Sequence, residues 1–127
     1  MKPINLLAAA VALVMGATPA FASNWVYAAE TDANTVIYYD ADTVQRSGNQ
    51  VTVWEKWDHS RDKYEKRRQR IIQNRYDCSE RTKTLLNGAS YYPNGKIDTY
   101  NFKTYEQEAD SIVPDSISEA TLEAVCR

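Results

Sequence analysis

The sequence predicts an α+β domain in which an antiparallel sheet of about six strands carries one C-terminal helix, packed on a face of the sheet and disulfide-linked to it. Two observations lead to this prediction. Short runs of aromatic and β-branched residues recur between turn-forming residues, whereas the only clear helical periodicity comes at the end of the chain. The chain also has only two cysteines, Cys78 and the penultimate Cys126, so a bridge would tie its end to its middle.

The N-terminal residues have the pattern of an export signal. Lys2 is followed by an apolar run over residues 6–15 and by a small-x-small motif over residues 20–22. The run has about ten residues, where roughly 20 are needed to cross a bilayer, so we predict a cleaved signal peptide over residues 1–22. No cysteine follows this cleavage point, and we therefore expect a periplasmic or secreted product without a lipid anchor. Residues 23–127 would form a single domain.

Composition argues against several classes of function. The chain carries 15 Lys and Arg residues against 17 Asp and Glu, whereas a nucleic-acid-binding domain is expected to be strongly basic. A single pair of cysteines in an exported chain is most simply explained by one disulfide between Cys78 and Cys126. Free thiols or metal ligation are the alternatives, but two cysteines and one histidine make no recognisable zinc pattern. We expect neither a metal nor another cofactor.

The start of the domain predicts a β-hairpin followed by a bend. Residues 25–29 and 35–39 are aromatic and β-branched runs, and turn-forming residues separate them. Residues 40–43 then bend the chain, because aspartate side chains there can accept local backbone hydrogen bonds. An Asp-x-Asp pair can also ligate a divalent ion, but the further oxygen ligands of a calcium loop are absent from the sequence.

Two long strands are predicted next, and the segment between them is ambiguous. Residues 50–57 alternate valine with polar residues until Trp54 breaks the phase, so either both faces of this strand are covered or a bulge shifts its register. Residues 60–70 are hydrophilic, and residues 63–70 contain helix formers, which leaves strand, loop and helix open. Residues 65–79 are predicted as one long strand, since period two is partly recovered towards its end.

The rest of the sheet is predicted as a hairpin. Residues 82–86 and 89–92 form either one continuous strand or two segments joined by a bulge at the intervening Asn-Gly pair. Residues 93–95, Pro-Asn-Gly, are a strong turn signal because Asn and Gly tolerate positive φ. Residues 96–102 would be the return strand, and residues 103–114 are predicted as a loop.

The last segment, residues 116–126, is predicted as a helix. Ser116 and Glu119 fit a capping box, in which each side chain satisfies a backbone N–H of the first turn. At 100° per residue the helix is amphipathic, and a helix of about 11 residues is marginal alone in water, so it must dock on the sheet. Its apolar face consists of Ile117, Ala120, Thr121, Leu122, Ala124 and Val125, and its polar face of Glu119, Glu123 and Arg127.

The pattern resembles the bacterial surface-adhesin protein E family over nearly all of residues 23–127. The features that carry the resemblance are Trp25, Tyr38-Tyr39-Asp40, Asp42-Thr43, Val51-Thr52-Val53-Trp54, Tyr76-Asp77-Cys78, Tyr91-Tyr92, Gly95 and Ala124-Val125-Cys126-Arg127. The resemblance implies an antiparallel sheet of about six strands with a disulfide-linked C-terminal helix. It also implies an outer-membrane lipoprotein that binds host matrix and plasma proteins such as vitronectin, laminin and plasminogen. This chain departs from that pattern because it lacks a lipidation cysteine.

Catalytic chemistry has little support in the sequence. Only His59 remains as a proton carrier near neutral pH, and no nucleophile, base and orienting group are recognisable around it. We expect it to be a surface histidine near a strand end. A small hydrolase centred on His59 is the enzymatic alternative, but no motif names a substrate, so we predict that the protein is not an enzyme.

Charge is distributed unevenly along the domain. Seven basic residues between positions 61 and 75 face only two acids, while positions 106–123 carry six acids and no base. One explanation is an exposed strand edge protected from aggregation by its cations. The other is a binding patch for carboxylate or sulfate groups. The candidate binding residues are Arg61, Lys63, Lys66, Arg67, Arg68, Arg70 and Arg75.

The leading hypothesis is an exported binding module of the bacterial envelope. Its partners would be host matrix or plasma proteins, or an anionic polysaccharide, bound through the basic segment. The alternative is a periplasmic structural or stress-related protein without an external ligand. The sequence gives no indication of the oligomeric state.

Overall fold

The computed structural model describes residues 23–127, so the predicted signal peptide lies outside the described residues. Within them, eight strands form one antiparallel sheet that is followed by a single α-helix, α1. The strands are β1 (Trp25–Glu30), β2 (Val36–Asp40), β3 (Gln45–Ser47), β4 (Gln50–Asp58), β5 (Gln69–Asp77), β6 (Thr82–Tyr91), β7 (Ile97–Asn101) and β8 (Ala109–Ser111), and α1 is Ile117–Val125.

The strand order confirms the predicted α+β fold and enlarges the sheet. Six strands follow the path β1-β2-β4-β5-β6-β7, while β3 pairs with the start of β4 and β8 with the start of β6. The prediction of about six strands was short by β3 and β8, which have three exposed residues each. The expected loop over residues 103–114 therefore contains β8 and a short 3-10 helix, Thr104–Glu106.

The structure corrects the predicted start of β5 and decides between the two explanations for the phase change in β4. Strand β5 begins at Gln69 rather than at residue 65, and residues 59–68 form a loop of successive turns, neither strand nor helix. In β4 the register with β5 is unbroken, so the phase change at Trp54 is not a bulge. Alternation continues instead through Glu55, which is buried on the same face as Val53, and Trp54 lies partly covered on the opposite face.

A bulge lies in β6, close to the predicted Asn-Gly position. Gln73 pairs with Asn87 and Asn74 with Leu85, so Leu86 is the extra residue. Gly88 follows two residues later, where a Cβ would lie 2.6 Å from the carbonyl oxygen of Ile71. Glycine is therefore required where β6 approaches β5 this closely.

The helix covers one face of the sheet, which we call the inner face. Leu122 and Val125 of α1 pack in a core cluster with Val51, Val53, Ile112 and Tyr76. Ser116 caps the helix, since its Oγ accepts from the Glu119 N–H at 3.2 Å. At the other end Cys126 forms the predicted disulfide with Cys78, with Cα atoms 5.9 Å apart. The disulfide thus fixes the C-terminal end of the helix just after β5, and the ion pair of Arg81 with Glu119 at 2.6 Å holds its first turn.

The opposite face, which we call the outer face, is not covered by a helix within residues 23–127. Strand alternation and register place Trp25, Tyr38, Trp54 and Tyr91 on this face. Lys56 Nζ lies 5.2 Å from the ring centroids of both Trp25 and Tyr38. The outer face is therefore aromatic and partly open to solvent.

Candidate functional site

The inner face buries a carboxylate beyond the end of the helix contact. Glu55 is 0% exposed and forms no ion pair within the described residues. Its Oε1 accepts from Trp57 Nε1 at 2.9 Å, and its Oε2 accepts from Asn74 Nδ2 at 3.0 Å and from the Tyr76 hydroxyl at 2.5 Å. A buried charge needs such partners to offset its lost hydration. These four residues form what we call the Glu55 network.

The network also shifts the acidity of one of its donors. Burial raises the pKa of the Tyr76 hydroxyl well above its ordinary value, and the charge of Glu55 and the hydrogen bond to it add to the effect. The tyrosine therefore stays protonated and remains a donor at any physiological pH. Tyr76 is therefore a fixed hydrogen-bond donor to Glu55.

Trp57 and Arg70 connect this network to the loop that joins β4 and β5. The two residues are paired across the strands, and the guanidinium carbon of Arg70 lies 4.5 Å from the ring centroid of Trp57. A guanidinium over an indole face is an attractive cation–π arrangement. Burial and the nearby charge of Arg67 lower the pKa of Arg70. Its Nε points to His59 Nε2 at 3.2 Å.

His59 is buried, not on the surface as expected. It is 4% exposed, and its Nδ1 lies 2.8 Å from Thr35 Oγ1. The Thr35 hydroxyl donates to Asp62 Oδ2 at 2.7 Å, so it must accept from Nδ1–H of the imidazole. Nε2 then accepts from Arg70, which makes the ring neutral with its proton on Nδ1.

Stability should therefore depend on pH through His59. Burial, and then the charge of Arg70, lower the pKa of this imidazole in the folded protein below its ordinary value. The unfolded chain binds the proton more readily, so the free energy of unfolding should fall as pH drops from about 7.5 to about 5.5. Urea unfolding across this range measures the fall. A His59→Gln variant should show a flatter profile, and an equal slope in both proteins would contradict the assignment.

Acids at the end of β4 and within the loop of residues 59–68 stabilise the turns of this loop. Asp58, Asp62 and Glu65 each accept from the backbone N–H two residues further on, at 2.9, 3.0 and 3.1 Å respectively. Carboxylates commonly stabilise turns in this local way. The His59 N–H closes the loop on the Arg68 carbonyl at 3.0 Å. The acids are thus used for backbone contacts, and the intervening bases are left on the outside.

The match to known proteins agrees with this architecture. A family model described as surface-adhesin protein E matches residues 25–127. The chain belongs to the surface-adhesin protein E family. Adhesin E proteins are classed as surface adhesins rather than enzymes. No curated protein matches the chain.

Solved structures show the same fold. The protein resembles crystal form II of Haemophilus influenzae protein E with a TM-score of 0.56 at 11% identity, covering 87% of this chain and 94% of that one. It resembles protein E from non-typeable Haemophilus influenzae with a TM-score of 0.54 at 11% identity, covering 87% and 81% of the two chains. At this identity the likeness establishes the adhesin E fold.

In this adhesin E chain the structure divides the seven predicted binding residues into three groups. Four of them are exposed on the loop and form no ion pair within residues 23–127: Arg61, Lys63, Lys66 and Arg68. Arg67 pairs with Glu65 at 2.8 Å, and this hydrogen-bonded pair lowers the pKa of Glu65 to about 2. Arg70 is bound to Trp57 and His59, and Arg75 contacts Gln107 at 3.4 Å from the outer face.

This arrangement does not protect a sheet edge. Strand β5 lies between β4 and β6, and the loop before it stands at the end of the sheet. The explanation that the cations shield an exposed edge is therefore wrong for this adhesin E chain. The four cations without an ion pair in residues 23–127, together with Tyr64 at 81% exposure, form an exposed surface that we call the basic loop.

Among residues 23–127 no group of three or more His, Cys, Asp or Glu side chains could hold a metal ion. The bend at residues 40–43 uses Asp40 locally, since its Oδ1 accepts from the N–H groups of Asn24 and Asp42 at 2.9 and 3.1 Å. No helix in the described range has the length and apolar character needed to cross a membrane.

Proposed function

We propose that this adhesin E protein is a non-enzymatic binding module, exported to the periplasm or secreted, whose basic loop binds anionic groups on host matrix or plasma proteins or on an anionic polysaccharide. The observation that supports this most directly is the set of four exposed cations, Arg61, Lys63, Lys66 and Arg68, without ion-pair partners in the described chain. Cations whose charge is not neutralised within the protein attract carboxylates and sulfates.

The local architecture gives the basic loop a defined shape. The acids of the segment hold the turns, and Arg68 N–H donates to the Tyr91 carbonyl at 2.7 Å, which anchors the loop to β6. A held loop loses less conformational entropy on binding than a free one. Tyr64 offers an exposed aromatic ring among the cations, a residue type enriched at protein interfaces.

Reversing two loop charges should weaken binding to a polyanion. We expect Lys63→Glu combined with Lys66→Glu to lower affinity for immobilised heparin about tenfold, because attraction becomes repulsion at the contact. Retention should also fall with added salt. The matched control is Lys103→Glu with Arg127→Glu, which changes the net charge equally at exposed positions away from the loop. Equal losses for both pairs would mean that binding follows net charge and not the basic loop.

The choice of substitutions follows from the geometry. Reversing Arg67 or Arg70 would break the Glu65 pair or the Trp57 stack, so a loss of binding there would also report a loss of structure. The alternative is a periplasmic structural or stress-related role without an external ligand. Cell fractionation, combined with the heparin assay, distinguishes this role from the proposed binding function. Protein confined to the periplasm and without affinity for heparin or immobilised matrix protein would contradict the proposal.

A further inference from the structure

A shallow groove crosses the outer face and meets the basic loop at one end, where the Tyr91 carbonyl oxygen accepts from the Arg68 N–H. It has a volume of about 400 Å³, and its walls include Trp54, Ile71, Asn87, Tyr91 and Asn101. None of the residues that line this groove is charged, although charged residues make up 25% of the chain. Lys56 is paired with Ile71 beside the groove, but its ammonium group lies over the rings of Trp25 and Tyr38. The lining itself therefore favours an uncharged ligand.

The polar side chains of the groove continue a row of amides that begins at Gln73, the cross-strand partner of Asn87. The cross-strand register aligns Trp54 with Gln73, Gln73 with Asn87, and Asn87 with Asn101. Asn87 Nδ2 donates to Gln73 Oε1 at 2.8 Å, which fixes the orientation of both amides. The row spans four strands, or about 14 Å at the usual spacing between strands. With that bond made, Asn87 keeps its Oδ1 acceptor and one N–H, and Gln73 keeps its Nε2 donors.

We propose that this groove binds an uncharged segment of a β-1,4-linked chain of N-acetylated amino sugars, the glycan chemistry of the bacterial cell wall. The C–H face of a sugar ring packs on an aromatic ring such as Trp54 or Tyr91, as apolar surface does on any indole or phenol. The acetamido and hydroxyl groups match the donors and acceptors of the amide row. The predicted export would deliver the protein to the compartment where this polymer lies.

The proposal can be tested by titrating the protein with chitohexaose and measuring the heat of binding by isothermal titration calorimetry. We expect saturable binding, with weaker binding of cellohexaose, which has the same linkage but no acetamido groups. Asn101→Ala, at an exposed edge position, should lower affinity about tenfold, as the loss of one or two hydrogen bonds would. Trp54→Ala should lower it at least as much. Tyr105→Ala removes an aromatic ring that is 80% exposed outside the groove and should have no effect.

The outcomes separate this inference from other uses of the outer face. Absence of chitohexaose binding at millimolar concentration, or binding that survives both Asn101→Ala and Trp54→Ala, would overturn it. Equal binding of cellohexaose would overturn recognition of the acetamido group. Co-sedimentation with purified peptidoglycan sacculi that is lost in Asn101→Ala would identify the cell wall as the source of the ligand. Self-association of the protein that is abolished by Trp54→Ala would instead show that the groove is a protein interface, which would overturn the proposal. Heparin retention should not change in either groove variant, so failure here is distinct from failure of the basic loop.

Discussion

Replacing Glu55 by alanine is expected to lower the free energy of unfolding by about 3–5 kcal/mol. The carboxylate is the acceptor for three donors, on Trp57, Asn74 and Tyr76. Alanine would leave the Asn74 and Tyr76 donors buried without partners, at about 1–3 kcal/mol each, and the Trp57 donor partly buried. Asn74 Oδ1 forms no hydrogen bond within residues 23–127 even with Glu55 in place. The loss should therefore approach the stability of a marginal domain.

Urea unfolding of three variants tests this expectation. Glu55→Gln keeps an acceptor oxygen but turns an amide donor towards other donors, so its cost should be intermediate. Tyr76→Phe removes one donor and leaves two bonds to the carboxylate, and should cost about 1–2 kcal/mol. Glu108→Ala, at an exposed position, is the control and should have almost no effect. A cost below about 1 kcal/mol for Glu55→Ala would show that the network is not a structural element.

The Glu55 network shows where sequence patterns are informative and where they mislead. In β4 the alternation of buried positions is regular, but one of them holds an acid, so the apolar pattern stops at Val53. In β5 the buried positions Ile72, Asn74 and Tyr76 alternate in the same way, and Asn74 is the polar exception among them. What the sequence did not indicate was that these exceptions contact one another, because the register that joins them depends on the whole sheet.

The short strands were missed for a related reason. β3 and β8 are fully exposed, so neither has a face to bury and neither carries an alternating pattern. Their backbone hydrogen bonds to β4 and β6 are what define them. By contrast, the hairpin of β1 and β2, the Pro-Asn-Gly turn before β7 and the capped helix were predictable, because local turn chemistry and amphipathicity determine them.

The basic segment was recognised as a unit but not resolved into its parts. Seven cations within a short stretch are visible in any charge count, yet the structure uses Arg67 and Arg70 for internal contacts. The spacing of Asp58, Asp62 and Glu65, each two residues before the N–H that it accepts, is a local signal that could have indicated a turn-rich loop. The stacking of Arg70 on Trp57 depends on strand pairing and has no such signal.

Removing the disulfide is expected to cost about 4 kcal/mol, because the bridge closes a long loop in the unfolded chain. Cys78 and Cys126 are 48 residues apart in sequence, and the loop-entropy estimate depends on that separation. The double variant Cys78→Ser, Cys126→Ser avoids a single unpaired thiol. Its free energy of unfolding in urea, compared with that of the parent protein, measures the loss. Agreement of the two within about 1 kcal/mol would contradict the estimate.

A second contact at the same helix end separates the effect on the unfolded chain from the loss of native contacts. Arg46 Nη2 donates to the carbonyl oxygens of Val125 and Arg127 at 2.7 and 3.0 Å, so it also holds the end of α1 but places no constraint on the unfolded chain. Arg46→Ala should therefore cost only about 1 kcal/mol. In the double cysteine variant Leu122 and Val125 still bury their side chains, so α1 should stay docked while its last turn opens more often. Faster proteolysis near the C-terminus than in Arg46→Ala would distinguish this local opening from global unfolding.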